Sequence, residues 1–434
     1  MKSESLRGIA AALLAFVLGA GAASSASSLT LREAIGQALE RNERGRSAEE
    51  TARAAEARVW RARSFLLPTI TLSGDYTRRG SDGEDLLLNG REARVGRVSV
   101  EQTIFDAQAW PLLRQAKRAR DASRHDAAGA KRLLAYDTAA SYLSVLNSEQ
   151  VAHAAAQRFE FARQSLGEIR SRFDAGLVGS NDVTRAELEA ATAERELVTA
   201  RGTARTARLA LSLLLDASIE TDSLSVPEDL LSSAARPIPP GSFDVEAATE
   251  GRPDIRSERA RVSALRAGAL EPLARYLPDL VATGTARSSA GSVNDVRDQD
   301  WTAGLSLRWE IFDGGGREAE RSERLALARA AGLALENLER TAANEMETAR
   351  VDLESQQASL TRSRVAVEAA RKNAVEATEL YRRGLTRALE VVDANVQLFE
   401  AEVGQAGSEF ALALSYLNLR SALGLDPLEP ETIP

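Results

Sequence analysis

Three short segments of this chain recur in the same order roughly 208 residues further on. Leu67-Pro68 returns as Leu277-Pro278, and Ile104-Phe105-Asp106 returns as Ile311-Phe312-Asp313. Phe173-Asp174-Ala175-Gly176-Leu177 returns as Tyr381-Arg382-Arg383-Gly384-Leu385. Self-similarity held in one register over most of 434 residues means a duplicated structural unit, far longer than a solenoid repeat. The fold must therefore be one that two copies of a single large motif can build.

Composition narrows the classes. The chain is 44% hydrophobic and 27% charged but only 5% aromatic, which suits long, closely packed helices better than an aromatic-rich core. Cysteine is absent, which removes disulfide frameworks and thiolate metal sites. A net charge of −8 without a basic stripe argues against nucleic acid as a partner. Lys2 and Arg7, the apolar run Gly8 to Ala20 and the small residues Gly21 to Ser28 have the order of a secretory signal, expected over 1–26. With no cysteine after it, lipid anchoring of the mature N-terminus is not expected. No later apolar run approaches the roughly 20 residues of a membrane helix; the best, Leu209 to Leu215, is far below it. Barrel strands escape that criterion.

Each copy opens with an amphipathic helix, marked in the first by Leu31, Ala34, Ile35, Ala38 and Leu39. In the second, Pro253 sits near the first helical position, where its missing N–H costs little. Both helices are expected to run to the Leu-Pro pairs. The period then changes from 3.6 to 2. Trp301, Ala303, Leu305, Leu307, Trp309 and Ile311 fall on one face, and Thr302, Gly304, Ser306, Arg308 and Glu310 on the other. The two tryptophans are eight residues apart, roughly 26 Å in a strand, matching the apolar band and aromatic girdles of an outer-membrane barrel. A soluble sandwich strand alternates in the same way; Arg308 and Glu310, facing away from the tryptophans, favour the membrane. Weaker alternation predicts strands over Thr69–Thr77, Arg94–Ile104 and Asp279–Arg287, with polar loops at Gly80–Ala93 and Ser288–Asp300. Four strands cannot close a barrel, and lipid does not tolerate an open edge, so several chains must contribute.

Long helices follow each strand pair, from Ala107 to about Arg172 and from Arg317 to Arg383. A helix of about 65 residues spans roughly 98 Å, some three times a bilayer core. Gly176 and Gly384 are placed to end these helices in the left-handed conformation. Returning helices follow, the first capped at Ser180 or Asn181, running to Leu215 and Leu423. Pro227, Pro237, Pro239 and Pro240 mark a crossover linker. The expected domains are a first repeat at 27–217, a linker at 218–244, a second repeat at 245–425 and a tail at 426–434.

In this order of elements the chain resembles the TolC-like outer membrane efflux protein family. The residues that carry the resemblance are Arg252-Pro253-Asp254-Ile255, both Leu-Pro pairs, the Phe-Asp pairs at 105–106 and 312–313, and the tips Phe173–Ala186 and Tyr381–Ala394. The resemblance implies a mostly helical mixed fold in the outer membrane, with a long periplasmic portion. A homotrimer would close a 12-stranded β-barrel, continued by an α-helical tunnel. It implies partners too: a periplasmic adaptor, an inner-membrane pump and outer membrane lipid. The conduit would be passive and would need no cofactor. By position in the tip motif, Asp182, Glu390 and Asp393 are candidates for a pore constriction, with Tyr381, Arg382, Arg383 and Arg387 holding neighbouring tips. Gly176, Leu177, Val178, Gly384, Leu385 and Thr386 are candidates for adaptor docking, and Trp301 and Trp309 for the aromatic girdle. Asp182 and Glu390 also read as acidic residues stabilising a helix N-terminus, worth about 0.3–1 kcal/mol.

Catalysis finds no support. His125 and His153 stand alone on long helices, away from metal-ligand spacing. Gly314-Gly315-Gly316 lacks the Gly-Lys-Ser/Thr ending of a phosphate loop and reads as a turn at the barrel rim. Met1 and Met346, the only methionines, make no copper track. The competing class is structural: a periplasmic coiled-coil adaptor, or a spacer or adhesin anchored at the outer membrane. Sustained heptads would favour it, whereas these helices are alanine-rich with irregular apolar spacing.

Overall fold

The computed structural model describes residues 28–78, 92–220, 224–239, 241, 244–290 and 298–428. The expected signal, most of the two strand-connecting loops and the last residues of the tail lie outside them.

Period-two alternation produces strands. β1 (Thr69–Arg78), β2 (Glu92–Phe105), β3 (Asp279–Ala290) and β4 (Asp298–Arg308) form one antiparallel sheet in the order β1-β2-β3-β4. The register aligns Leu72, Val98, Ala286 and Trp301 in one row, and Ile70, Val100, Gly284 and Ala303 in the next. Ile70, Leu72, Trp301 and Leu305 on this apolar face are each at least 70% exposed. The opposite face carries Thr71, Ser99, Thr285 and Thr302 in one row and Ser73, Arg97, Arg287 and Asp300 in another.

The expected strand Trp301–Ile311 is corrected at its end. The ladder stops at Arg308 opposite Asp279, the first residue of β3 after Pro278, so Trp309 to Ile311 have no backbone partner in the sheet. Side-chain alternation continues past the hydrogen bonds and gave the longer reading. The expected loops are also shorter, because Ala93, Ser288–Ala290 and 298–300 belong to strands.

The opening helices are corrected as well. The first copy has α1 (Leu31–Arg41) and α2 (Glu43–Ser64), divided at Asn42. Asn42 is extended (φ −67°, ψ 134°) and its side chain accepts the Arg44 N–H at 3.0 Å, capping α2. After the long hairpin α3 (Ala109–Asp174) and α4 (Ser180–Leu215), the expected linker contains a short helix, α5 (Glu228–Ala234). The second copy opens with α6 (Val245–Gly251), α7 (Pro253–Gly268) and α8 (Glu271–Ala274), then closes with the hairpin α9 (Gly316–Arg382) and α10 (Ala388–Ala422). Pro111 sits in the first turn of α3, where a missing N–H is harmless. At about 1.5 Å per residue, the 66 residues of α3 extend for roughly 99 Å.

The described residues fall into two compact units, to both of which α3, α9 and α10 contribute. One draws on residues 28–38 and on the described residues of 137–236 and 355–414. Its core is small-sided: Ala155, Ala186, Ala193, Ala200, Ala374 and Ala394 are buried, which lets helix backbones approach closely. Larger anchors such as Leu143, Ile169, Leu211, Leu215 and Leu412 are buried among them. Tyr142 is fully buried and its hydroxyl lies 2.7 Å from both the Leu29 and Ser225 carbonyls, where these segments meet in a parallel bridge, Leu29 to Leu224.

The second unit draws on the described residues of 39–136, 237–354 and 415–428 and contains the sheet. Arg252, before Pro253, pairs with Asp254 at 2.8 Å and Glu345 at 2.7 Å, and donates to the Ala422 carbonyl at 3.3 Å. Beneath the sheet, buried Arg317 donates to the Arg275 and Glu310 carbonyls, both at 2.9 Å, and its guanidinium lies 4.3 Å from the centre of the Tyr276 ring. Gly314 and Gly315 have φ of 74° and 90°, and Asp313 accepts the Gly315 and Arg317 N–H groups, so the glycine run is a capped turn into α9.

Candidate functional site

Both hairpins turn through the same backbone motif. Gly176 and Gly384 adopt φ of 74° and 73°. Leu177 N–H donates to the Arg172 carbonyl and Gly176 N–H to that of Phe173; Leu385 and Gly384 do the same with Leu380 and Tyr381. This paired closure satisfies the last carbonyls of the helix and needs a residue tolerant of positive φ. It also thrusts the following leucine outward: Leu177 and Leu385 are 74% and 70% exposed. Of the other proposed docking residues, Gly176 and Gly384 are exposed and Val178 and Thr386 half-buried.

The cap of α4 differs from expectation. Gly179 is the capping residue, and Asp182 at the third helical position accepts its N–H at 3.4 Å. A side chain at Ser180 or Asn181 is already inside the helix and cannot take that role. Asp182 thus has the helix-stabilising function considered for it.

Behind the turns, the two hairpins share one apolar cluster: Ile169 from α3, Ala186 from α4, Ala374, Ala377 and Tyr381 from α9, and Val391 and Ala394 from α10. Tyr381 is buried and its hydroxyl has no hydrogen-bond partner among the described residues. The Arg172 guanidinium lies 4.4 Å from the centre of its ring and pairs with Glu168 at 2.7 Å. Burial pushes the Tyr381 phenol up; Arg172 opposes this and the charges of Glu168 and Asp182 add to it.

Among the predicted constriction residues, Tyr381 and Asp182 therefore come close enough to couple. Arg382 pairs with Glu379 at 3.1 Å within its own helix. Arg383, Arg387, Glu390 and Asp393 are exposed and make no ion pair with another described residue. Arg172 and Glu168 were missed by the sequence reading. Leu380 is the in-register counterpart of Arg172, so the repeat carries no sign of it, and its partner Tyr381 lies on the other hairpin.

Trp301 is 79% exposed on the apolar sheet face. Trp309, beyond the end of β4, is 57% exposed and its indole N–H donates to the Tyr276 carbonyl at 3.0 Å. A ring held by its N–H with its body exposed suits a membrane interface. Among the described residues no helix is long and apolar enough to cross a membrane, and no group of three or more His, Asp or Glu side chains is placed to hold a metal ion.

An exposed apolar sheet face and long helical hairpins in one duplicated chain define the class of outer-membrane channel subunits. The sequence pattern described as outer membrane efflux protein matches residues 34–217 and 245–425, and the chain belongs to that family. It is 26% identical over 396 residues to the outer membrane protein TolC of Escherichia coli (strain K12), covering 86% of this chain and 77% of that protein. It is 24% identical over 388 residues to nodulation protein T of Rhizobium leguminosarum bv. trifolii, covering 86% and 81%. Among solved structures, the open-state MtrE outer membrane channel of Neisseria gonorrhoeae shares its fold with a TM-score of 0.78 at 20% identity, covering 91% of this chain and 89% of that one. The CmeC outer membrane channel of Campylobacter jejuni gives 0.76 at 18% identity, covering 91% and 85%. This is an outer-membrane efflux channel protein with a helical periplasmic portion, and family membership decides against the adaptor and spacer alternatives.

Proposed function

We propose that three copies of this chain assemble into one passive conduit. Each contributes four strands to a 12-stranded barrel, and the hairpins of both repeats line a periplasmic tunnel. The reading rests on one observation above others: the sheet is open at β1 and β4 among the described residues, with Ile70, Leu72, Trp301 and Leu305 on its apolar face at least 70% exposed. Unpaired strand edges cost several kcal/mol per group in lipid, so edges must pair between chains. Two repeats, 27–217 and 245–425, joined by 218–244, then supply quasi-equivalent hairpins around one axis. Residues 1–26 direct export and are removed, and 426–434 form a tail.

Energy comes from an inner-membrane pump, coupled through a periplasmic adaptor that docks on Gly176-Leu177-Val178 and Gly384-Leu385-Thr386. The exposure of Leu177 and Leu385 supports this surface. Outer membrane lipid meets the girdle of Trp301 and Trp309. At the tips, Asp182, Glu390 and Asp393 form the constriction, while Tyr381, Arg382, Arg383 and Arg387 hold adjoining tips. The unpaired charges of Arg383, Arg387, Glu390 and Asp393 support contacts between chains. Three-fold repetition makes each carboxylate a ring that favours cations. Neutralising Asp393 tests this: in a planar bilayer, Asp393→Asn is expected to weaken block by hexamminecobalt(III), and block identical to wild type removes Asp393 from the constriction.

A further inference from the structure

Two ion pairs, Glu49 with Lys131 and Glu56 with Arg124, hold α2 antiparallel to α3. On each helix the paired positions are about two turns apart, so the pairs are successive rungs of one ladder. One further step of the same length, toward the sheet, brings Arg63 level with Lys117. The third rung thus sets cation against cation where the first two set carboxylate against cation. Both side chains are exposed, and neither closes an ion pair with another described residue.

No carboxylate on these helices relieves the rung. Residues 57–64 of α2 and 109–120 of α3 contain no Asp or Glu, and Asp121 is already paired with Arg118 and Arg120. Glu318 and Glu323 are exposed on α9, on the far side of α7, whose Gly268 packs against Gln115 and accepts from Arg324 at 2.7 Å. The second repeat closes the corresponding place internally. By the offsets of the Leu-Pro and Phe-Asp pairs, Arg63 corresponds to Leu273 and Lys117 to Arg324. Arg324 pairs with Glu271 at 2.9 Å and with Glu320 at 2.5 Å. Unpaired cations here belong to the first repeat and not to the architecture.

Height puts the rung at the membrane border. Helix α2 ends at Ser64 just before β1 starts at Thr69, and α3 starts at Ala109 just after β2 ends at Phe105. Arg114, also exposed and unpaired, lies about 7.5 Å along α3 from Ala109, and Lys117 about 12 Å. A headgroup layer is roughly 5–8 Å thick, and long cationic side chains extend up toward it. Exposed Trp110 shares the helix face of Arg114 and Lys117, and exposed Trp60 has the Arg63 guanidinium 5.2 Å from its ring centre. Tryptophan backed by cations is the composition of a membrane interface.

We propose that Arg63 and Lys117 clasp the phosphate of an anionic phospholipid in the periplasmic leaflet of the outer membrane. Arg114 is a third contact, and the rings of Trp60 and Trp110 lie against the glycerol and upper acyl chains. A phosphate between the two cations turns a repulsive rung into two charge-assisted contacts. The proposal rests on the outer-membrane channel reading, which puts this end of the helices at the lipid boundary.

For the test, full-length protein extracted from outer membranes is titrated with phosphatidylglycerol or with phosphatidylethanolamine, and bound lipid is counted by native mass spectrometry. Wild type is expected to prefer phosphatidylglycerol by roughly tenfold or more, and Arg63→Gln/Lys117→Gln to bind the two about equally. Arg63→Glu, which completes the ladder of ion pairs, should lose the preference yet melt at a higher temperature in lipid-free detergent. Improved folding with weaker lipid binding separates a lipid site from a structural role. A preference absent from wild type, or kept in both variants, overturns the site while leaving the channel intact. Dissociation of the glutamine variant into single chains assigns the rung to a carboxylate of the next chain and overturns the lipid site. Protein missing from the outer-membrane fraction overturns the channel reading and the site together.

Discussion

The guanidinium of Arg172 lies 4.4 Å from the centre of the Tyr381 ring, joining the end of the first long helix to the end of the second. Arg172 is tied by its own ion pair to Glu168, and the Tyr381 hydroxyl is buried without a hydrogen-bond partner among the described residues. The energetic content of the contact is the ring face and apolar burial, with no hydrogen bond. Arg172→Ala should therefore lower stability by about 0.5–2 kcal/mol in denaturant unfolding. Tyr381→Phe should leave it unchanged or raise it by about 1 kcal/mol, since it deletes an unsatisfied buried group. A large loss in Tyr381→Phe would mean that the hydroxyl is paired in the assembled protein.

Asp216 and Gly424 occupy equivalent helix ends in the two repeats. Asp216 adopts φ 49° and Gly424 φ 83°. A non-glycine residue there carries a left-handed penalty of about 1 kcal/mol. Asp216→Gly should stabilise by up to about 1 kcal/mol. Gly424→Ala should destabilise by about 1 kcal/mol or more, because φ 83° strains any L side chain and the Cβ would already touch the Ala248 carbonyl and Gly251-Arg252 backbone at 3.4 Å, with no room to relax. Thermal unfolding of the two variants side by side checks the asymmetry.

Tyr142 holds two distant segments through one hydroxyl, shared between Leu29 and Ser225. Tyr142→Phe should cost about 1–2 kcal/mol by taking its donor from the half-buried Ser225 carbonyl, while the Leu29 carbonyl keeps the Ser225 N–H at 3.2 Å. Limited proteolysis should then cut preferentially near 220–226; an unchanged digestion pattern would show that the bridge holds these strands without the hydroxyl.

Burial raises the Asp254 carboxyl, but the hydrogen bond and charge of Arg252 outweigh it, leaving its pKa below the ordinary value. A folded pKa below the unfolded one contributes stability that is present above the unfolded value, near 4, and is lost as pH falls through the folded value. Asp254→Asn should be less stable than wild type at pH 7, and the difference should shrink below pH 4. A difference that stays constant with pH would assign the effect to packing.

The architecture was legible because its signals are local and periodic. Alternation from Trp301 fixed the exposed face of β4, and glycine at 176 and 384 fixed both tips. What escaped depends on partners rather than on spacing. Trp309 continues the alternation but lies beyond the last residue of β3 able to pair. Asn42 breaks the first helix through a cap that one amide side chain makes, within a run that is otherwise helical. Arg172 meets Tyr381 across 209 positions, on helices that the repeat places in different copies. Charge placement on the barrel face became visible only with register, since Arg97 and Arg287 are unremarkable until they stand opposite one another.

The central claim is that β4 of one chain pairs with β1 of the next until three have closed the ring. The natural absence of cysteine makes this directly measurable. Single cysteines placed on β1 at Ile70, Leu72 or Gly74 are combined with single cysteines on β4 at Ala303, Leu305 or Leu307, and oxidised in outer membranes. At least one combination should give a covalent ladder of dimer and trimer that stops at trimer. No disulfide between chains in any combination, or a ladder that continues past trimer, would contradict the account.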